Sequence, residues 1–354
     1  MAIDEAFELG NPALSTSGTT TPKATSTPLR RQPRWHDYTA FVLSGGGARG
    51  ALQVGMLKAL LEGGERPDVL VGTSVGAWNG AWLARQPNLG GVAALETVWR
   101  TLKPVHVLLG REPVANTPPQ ALTGMLMFAA ARHVARGHPS LYSDVGLRQL
   151  LSRYLSDLTF ESLELPLRVV AANLSSGERT IFASGAIGPA LLASAAIPGV
   201  FPPVRVEDAV YVDGGAVDNT NLDIAIEMGA RRVFVLDVGY DATGEGESLW
   251  DGMGSEIAAA RRGQRGATGV PHAIAAVLER TTQVMSRYHL QRNLARIPPG
   301  IEVHVLRAQT PGGGGALDFA RAAEWIEQGY VVTREYLSTR SRRRIRTQEF
   351  AVAE

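Results

Sequence analysis

Between Ala40 and Arg85 the chain switches twice from a short apolar run to helical apolar spacing, and a glycine-containing turn sits at each switch. Ala40–Leu43 reads as a buried strand, because its consecutive apolar residues leave no polar face for solvent. From Gly50 onward Leu52, Met56, Leu57, Leu60 and Leu61 fall on one face of a helix, which Gly63-Gly64 ends. Val69–Val71 reads as a second strand and Val75 to Arg85 as a second helix. Strand–helix–strand–helix in fewer than fifty residues calls for parallel strands joined by crossover helices. The fold class is α/β.

The alternation continues with strands at Leu167–Ala172, Tyr211-Val212, Val233–Val238 and Ile301–Leu306, and a closing helix at Glu324–Leu337. A chain of 354 residues accommodates this as one large α/β domain, assigned here to residues 37–338. Residues 1–36 read as a disordered tail, since twelve of the nineteen positions 11–29 are Ser, Thr or Pro. Residues 104–140 fit the alternation poorly and read as an insertion or lid; 241–270 are Gly-rich and read as a mobile loop. Residues 339–354 form an Arg-rich C-terminal tail, with five arginines in Arg340–Arg346.

Composition removes several classes of function. Cysteine is absent, which excludes disulfides, cysteine–zinc sites, iron–sulfur clusters and a thiol nucleophile. With 35 basic and 34 acidic residues the chain has no global attraction for nucleic acid. No apolar run reaches the ~18–20 residues of a membrane span. The N-terminal MAIDEAFELG carries acids where a signal peptide carries base, so the expected location is cytoplasmic.

Two turns carry candidate chemistry. The first is Ser44-Gly45-Gly46-Gly47-Ala48-Arg49-Gly50, between a strand and a helix. Gly45, Gly47 and Gly50 match dinucleotide-binding spacing, but the next strand runs into Gly72-Thr73-Ser74 where a nucleotide site wants an acid for the ribose. Glycine amides at a helix N-terminus can equally form an oxyanion hole. The second turn is Gly72-Thr73-Ser74-Val75-Gly76, a G-x-S-x-G placed after a strand and before a helix, as a nucleophile elbow requires. Trp78 and Trp82, one turn apart on the following helix, read as core or pocket wall.

A serine nucleophile needs a base. His272, His289 and His304 lie downstream, in the order a Ser–Asp–His hydrolase would use. Against them, only one helix and one strand separate the glycine loop from the serine, and each histidine sits in ordinary surroundings. The other candidate is Asp213, at the end of a short strand and followed by Gly214-Gly215. Spacing alone does not decide whether this aspartate is a base or the opening of an ordinary Asp-Gly-Gly turn.

Ser44–Gly50, Gly72–Gly76 and Asp213–Gly215 together resemble the patatin-like phospholipases, as does Ser194-Ala195-Ala196-Ile197-Pro198-Gly199-Val200-Phe201-Pro202-Pro203. The resemblance covers roughly residues 38–240. It implies a three-layer α/β/α sandwich with a mostly parallel central sheet, and lipid acyl hydrolysis by a Ser–Asp dyad without histidine. Ser74 would be the nucleophile and Asp213 the base. Gly45, Gly46, Gly47 and the backbone near Arg49 would form the oxyanion hole, supported by Gly50, Gly72, Gly76, Gly214 and Gly215. One position departs: the family reads towards Asn-x-Pro after the aspartate, whereas this chain has Asn219-Thr220-Asn221. The expected consequence is an altered loop with the chemistry intact.

The implied partner is a lipid acyl ester, such as a phospholipid, lysophospholipid or glyceride, and neither cofactor nor metal is called for. Asp218 and Asp223 could ligate calcium by composition, but two loop acids are ordinarily just solvated. Met125–Phe128 followed by Arg132, His133, Arg136 and His138 suits either a lid at a lipid interface or a buried helix with a basic end. Arg342–Arg346 could touch anionic head groups. Two rivals stand beside the hydrolase: a catalytically silent lipid-binding protein of the same fold, and the Ser–Asp–His esterase.

Overall fold

Alternate residues along the central strands enter two different cores, and this divides the molecule into layers. In a computed structural model, which describes residues 24–25, 38–112, 119–239, 270–308, 310 and 315–351, the strands are β1 (Ala24–Thr25), β2 (Tyr38–Leu43), β3 (Val69–Thr73), β4 (Leu167–Asn173), β5 (Arg179–Phe182), β6 (Val204–Val206), β7 (Ala209–Asp213), β8 (Ala230–Asp237) and β9 (Glu302–Arg307). They form one sheet in the order β1-β5-β4-β3-β2-β8-β9, with β7 against β4 and β6 against β7. The five central strands, β4-β3-β2-β8-β9, are mutually parallel; β5 and β7 run antiparallel to β4.

Phe41, Leu43, Leu70, Val169, Ala171, Phe234 and Leu236 point to one face of the sheet. Covering that face are α1 (Gly50–Glu62), α2 (Val75–Arg85), α3 (Leu89–Thr101), α7 (Ile187–Ser194) and α10 (Ala322–Ala351). The intervening residues Ala40, Val42, Val69, Val71, Val170, Val233 and Val235 point the other way, towards α8 (Leu222–Glu227) and α9 (Val270–Leu294). This is the period-two pattern of strands buried on both faces. The fold is a three-layer α/β/α sandwich with a mixed, largely parallel sheet.

Every strand read from the sequence is present. The helix α1 differs in one respect: its apolar stripe predicts one buried face, yet Ala51, Gln53, Val54 and Ala59 are buried as well. The cause is its position, enclosed between the sheet, α3 and α10. The segment read as a lid contains α4 (Pro104–Leu109) and α5 (Pro119–Ala135), followed by α6 (Val145–Tyr154). Helix α10 continues to Ala351 through the Arg-rich segment; Arg340 pairs there with Glu65 and Glu302. The Ser/Thr/Pro-rich stretch, apart from Ala24–Thr25, and the Gly-rich loop at 241–269 lie outside the described residues. Among the described residues no helix is long and apolar enough to cross a membrane.

Candidate active site

Ser74 and Asp213 meet because two strands share one edge of β4. β3 pairs with β4 up to Thr73↔Val170, and β7 then takes the same edge, with Asp213↔Ala171. The other edge of β4 belongs to β5, so β7 can pair nowhere else. The end of β3 and the end of β7 therefore face each other across one residue step of β4.

Ser74 stands at the turn into α2 with φ 55° and ψ −128°. A non-glycine residue in such a conformation costs about 1–3 kcal/mol and persists only where its surroundings enforce it. Here they do. The Ser74 amide donates to Ser194 Oγ at 2.8 Å, and Ser194 Oγ–H donates to the Val170 carbonyl at 2.6 Å. The two following amides that bond back, Ala77 and Trp78, both reach the Ser74 carbonyl. Gly76 must be glycine, since a Cβ there would strike the Leu43 carbonyl. Gly72, the last-but-one residue of β3, packs as closely against Ala77.

Asp213 is 7% exposed and stands at the end of β7, one residue step of β4 from the end of β3 that leads into Ser74. Burial pushes its pKa up to about 6; the hydrogen bonds from Ser74 and from the Gly215 amide, the latter at 2.8 Å, pull it down. Gly214 and Gly215 form a short 3₁₀ turn directly after it, and the Asp213 amide donates to the Ala196 carbonyl at 2.9 Å. The segment Ser194–Phe201 thus supports both members of the pair: Ser194 holds the elbow and Ala196 holds the aspartate.

The glycine loop lies against Ser74. A Cβ on Gly45 would come within 2.9 Å of the Ser74 Cβ, so only glycine lets the loop approach this closely. Asn219 grips both polar groups of Gly45: its Oδ1 accepts from the Gly45 amide at 2.9 Å, and its Nδ2 donates to the Gly45 carbonyl at 3.0 Å. Nδ2 also donates to Ser286 Oγ of α9 at 2.9 Å. On the other side Gln53 Nε2 donates to the Ser44 carbonyl at 2.8 Å, and Gln53 Oε1 accepts from Asn79, which in turn accepts from Trp99 Nε1.

These bonds sort the amides named from sequence. That of Gly45 is engaged by Asn219, and that of Arg49 donates to the Gly46 carbonyl at 3.2 Å. Arg49 is buried, and its Nε donates to the Val238 carbonyl. Gly50 is the first residue of α1. For the amides of Gly46 and Gly47 no acceptor occurs among the described residues.

The departure at Asn221 has a clear structural result. Asn221 has φ 44°, a left-handed value that proline, fixed near −65°, cannot adopt. Its Nδ2 donates to Thr73 Oγ1 at 2.9 Å and to the Asp218 carbonyl at 2.6 Å. The loop after the aspartate is thereby tied to the residue that precedes the serine. Asp218 accepts from the amides of Thr220 and Asn221 and from Asn293, while Asp223 forms a bidentate pair with Arg179. Both acids are engaged by protein donors.

Beside Ser74 opens an apolar pocket. Trp78 and Trp82 of α2, Leu95 and Trp99 of α3, Val107 of α4 and Leu147 and Leu150 of α6 line it, and none of the lining residues is charged or a histidine. His304 lies in β9, bonded through Nδ1 to the Tyr336 hydroxyl and stacked on Phe234. His289 is on α9, and His272 lies in the first turn of that helix, in a stretch whose side chains are outside the described residues. On α5, Leu126 packs towards the core while Met127, Phe128 and Val134 are exposed beside Arg132 and Arg136.

Sequence reading missed Ser194, Asn219, Gln53, Asn79 and Ser286 as parts of this site. Gln53 and Asn79 did leave a trace: each is an uncharged polar residue in a helix that is otherwise apolar at neighbouring positions. Ser194 and Asn219 lay within segments singled out by resemblance, but their partners are more than a hundred residues away in the chain.

The site thus sets a serine at a strand–helix elbow near a buried carboxylate and an apolar pocket, on a largely parallel sheet. The chain belongs to the patatin-like phospholipase family, whose model matches residues 41–226, more than half of its length. It is 29% identical over 216 residues to patatin-like phospholipase domain-containing protein 7 of Rattus norvegicus, covering 59% of this chain and 14% of that one. It is 28% identical over 300 residues to lysophospholipase nte1 of Aspergillus terreus, covering 84% of this chain and 18% of that one. The chain thus spans less than a fifth of these curated relatives. A solved structure, VipD from Legionella pneumophila, is similar at 17% identity with a TM-score of 0.40, covering 86% of this chain and 67% of that one.

Proposed function

We propose that the protein cleaves a fatty acyl ester of a lipid in two steps through an acyl-Ser74 intermediate, with Asp213 as general base. The observation that carries this reading is the sheet register that brings Ser74, on its strained turn, to the end of the strand bearing Asp213, a buried carboxylate whose pKa is about 6. Such a base is ionised at neutral pH yet retains appreciable proton affinity. Asp213 takes the Ser74 proton as Oγ attacks the ester carbonyl, and the amides of Gly46 and Gly47 receive the oxyanion. The carbonyl–alkoxy bond breaks and the leaving alcohol takes the proton from Asp213. Water then gives a proton to Asp213 and attacks the acyl-enzyme; the fatty acid departs and the proton returns to Ser74.

The uncharged pocket supports an acyl chain as the part of the substrate bound inside. A lysophospholipid is one substrate this reading admits, and the relative from Aspergillus terreus is named a lysophospholipase. The exposed apolar stripe of α5, flanked by Arg132 and Arg136, supports contact with an anionic lipid surface. The N-terminal tail, the single domain and the lid assigned from sequence remain part of the proposal.

The test is a fluorophosphonate probe followed by intact mass and peptide mapping. One adduct is expected on the peptide holding Ser74, absent in Ser74→Ala. A folded protein that binds lipid but takes no adduct would favour the silent lipid-binding reading. Loss of turnover in His272→Ala, His289→Ala or His304→Ala with folding preserved would overturn the dyad.

A further inference from the structure

The pocket beside Ser74 follows one stripe of α2. Val75, Trp78 and Trp82 line it in steps of about one turn, starting from Ser74 itself. Helix α6 lines it over a matching length through Leu147, Leu150 and Tyr154. The two helices therefore form a channel with Ser74 at one end and the pair Trp82–Tyr154 at the other.

That far end is braced. The Trp82 and Tyr154 rings lie 5.9 Å apart at 56°. Trp82 Nε1 donates to the Gly91 carbonyl at 2.9 Å, and Arg85 Nη1 donates to the Tyr154 carbonyl at 3.0 Å. The Arg153 guanidinium sits 5.4 Å from the Tyr154 ring centre. Both rings are partly buried.

We propose that this channel measures the acyl chain, and that Trp82 and Tyr154 are the stop that sets the enzyme's chain-length limit. The proposal rests on the hydrolase reading above and adds the substrate class: esters of a single medium-length acyl chain, with the head group outside. Eight residues of helix from Ser74 to Trp82 rise ~12 Å, which an extended hydrocarbon of roughly ten carbons fills. Among the described residues no charged side chain lines the channel, which leaves a head group without a charged partner there. Until the chain meets the stop, each added methylene should raise kcat/KM by about fourfold, the fold-change for one CH₂ leaving water. Beyond the stop the gain ends.

The experiment uses p-nitrophenyl esters of saturated acids from C4 to C16 and the full-length chain. Wild type should climb to roughly C10 and then fall by about tenfold or more by C16, the discrimination that apolar pockets deliver for chain size. Trp82→Ala should move the optimum to longer chains and raise the ratio of C16 to C6 turnover. Tyr154→Ala provides a second opening of the same end should Trp82→Ala fail to fold, as judged by its thermal transition. A wild-type profile that rises steadily to C16, or variants that lower all lengths equally, would overturn the proposal. Calorimetry of C8 to C16 fatty acids binding to Ser74→Ala separates the two readings. A break near C10 without any ester turnover would sink the hydrolase assignment and keep the gauge; affinity rising without a break would sink the gauge alone.

Discussion

The two walls of the site are built on opposite principles. On the polar side the peptide groups around Ser44–Gly45 and Ser74 are held by named partners: Asn219, Gln53 and Ser194 hold backbone atoms at 2.8–3.0 Å. On the pocket side Leu95, Leu147, Leu150 and their neighbours meet the substrate space with carbon surface alone, and hydrogen bonds there serve only to anchor the tryptophans from behind. Hydrogen bonds are directional and dispersion contacts are not. One wall fixes geometry to a few tenths of an ångström, and the other accepts a flexible chain. Damage to the first should cost rate; damage to the second should shift preference.

The largest effect that would sharpen this contrast is expected at Asp213. Asp213→Asn removes the general base and should lower kcat by about 10²–10⁴-fold in ester hydrolysis. The wild-type pH profile provides a companion measurement. The carboxyl must be ionised to accept the Ser74 proton, so kcat/KM should fall as pH drops through about 6. Stability runs the other way. Between the ordinary 3.8 and about 6 the folded protein holds a proton that the unfolded chain has released, so stability falls as pH rises through that window. In Asp213→Asn this slope should flatten in pH-dependent denaturant titrations. An unchanged activity profile in wild type would remove Asp213 from the base role.

Next in size is the clamp on the glycine loop. Asn219→Leu frees both polar groups of Gly45 and should lower kcat by about 10²–10³-fold, comparable to losing an oxyanion donor, with little change in KM. Asn219→Asp keeps an acceptor for the Gly45 amide and should recover part of that rate. Equal losses in the two variants, tracking their thermal midpoints, would mean that Asn219 merely stabilises the fold.

Asn221→Pro tests the departure from the family pattern. The left-handed backbone must change and the bond to Thr73 is lost, which should destabilise the protein by ~2–3 kcal/mol in urea titrations. A neutral result would show that the loop re-forms around proline without help from Asn221. The smallest effect is expected on the apolar wall. Leu150→Ala should alter kcat/KM for medium-chain esters by less than about tenfold, since a pocket discriminates weakly against lost methylenes, and leave short esters untouched. A collapse in kcat for all esters would break the division between the walls.

Much of this molecule was legible from residue order because it depends on short-range pattern. Apolar runs of strand length, helical spacing after Gly50 and Ser74, and glycine at each turn are consequences of local sterics and periodicity, and they identify the strands, the elbow and the parallel sheet. Ser74 could be singled out for the same reason, since its turn is defined by residues within two positions of it. Spacing told against the three histidines but did not separate Asp213 as a base from the opening of an ordinary Asp-Gly-Gly turn, and resemblance rather than physics preferred the base.

What only the tertiary structure decided lies in pairings across long stretches of chain. That β7 follows β3 along one edge of β4 is a matter of sheet order, and it alone brings Asp213 to Ser74 and buries it enough to raise its pKa. The division of the loop amides into engaged and available ones depends on Asn219, which reaches Gly45 from 174 residues away. The extra burial of α1 depends on α10, more than two hundred and fifty residues downstream. The channel depends on α2 and α6 lying side by side. Periodicity states which face of an element is apolar; it carries no information on which element will cover that face, because the hydrophobic effect is not directional.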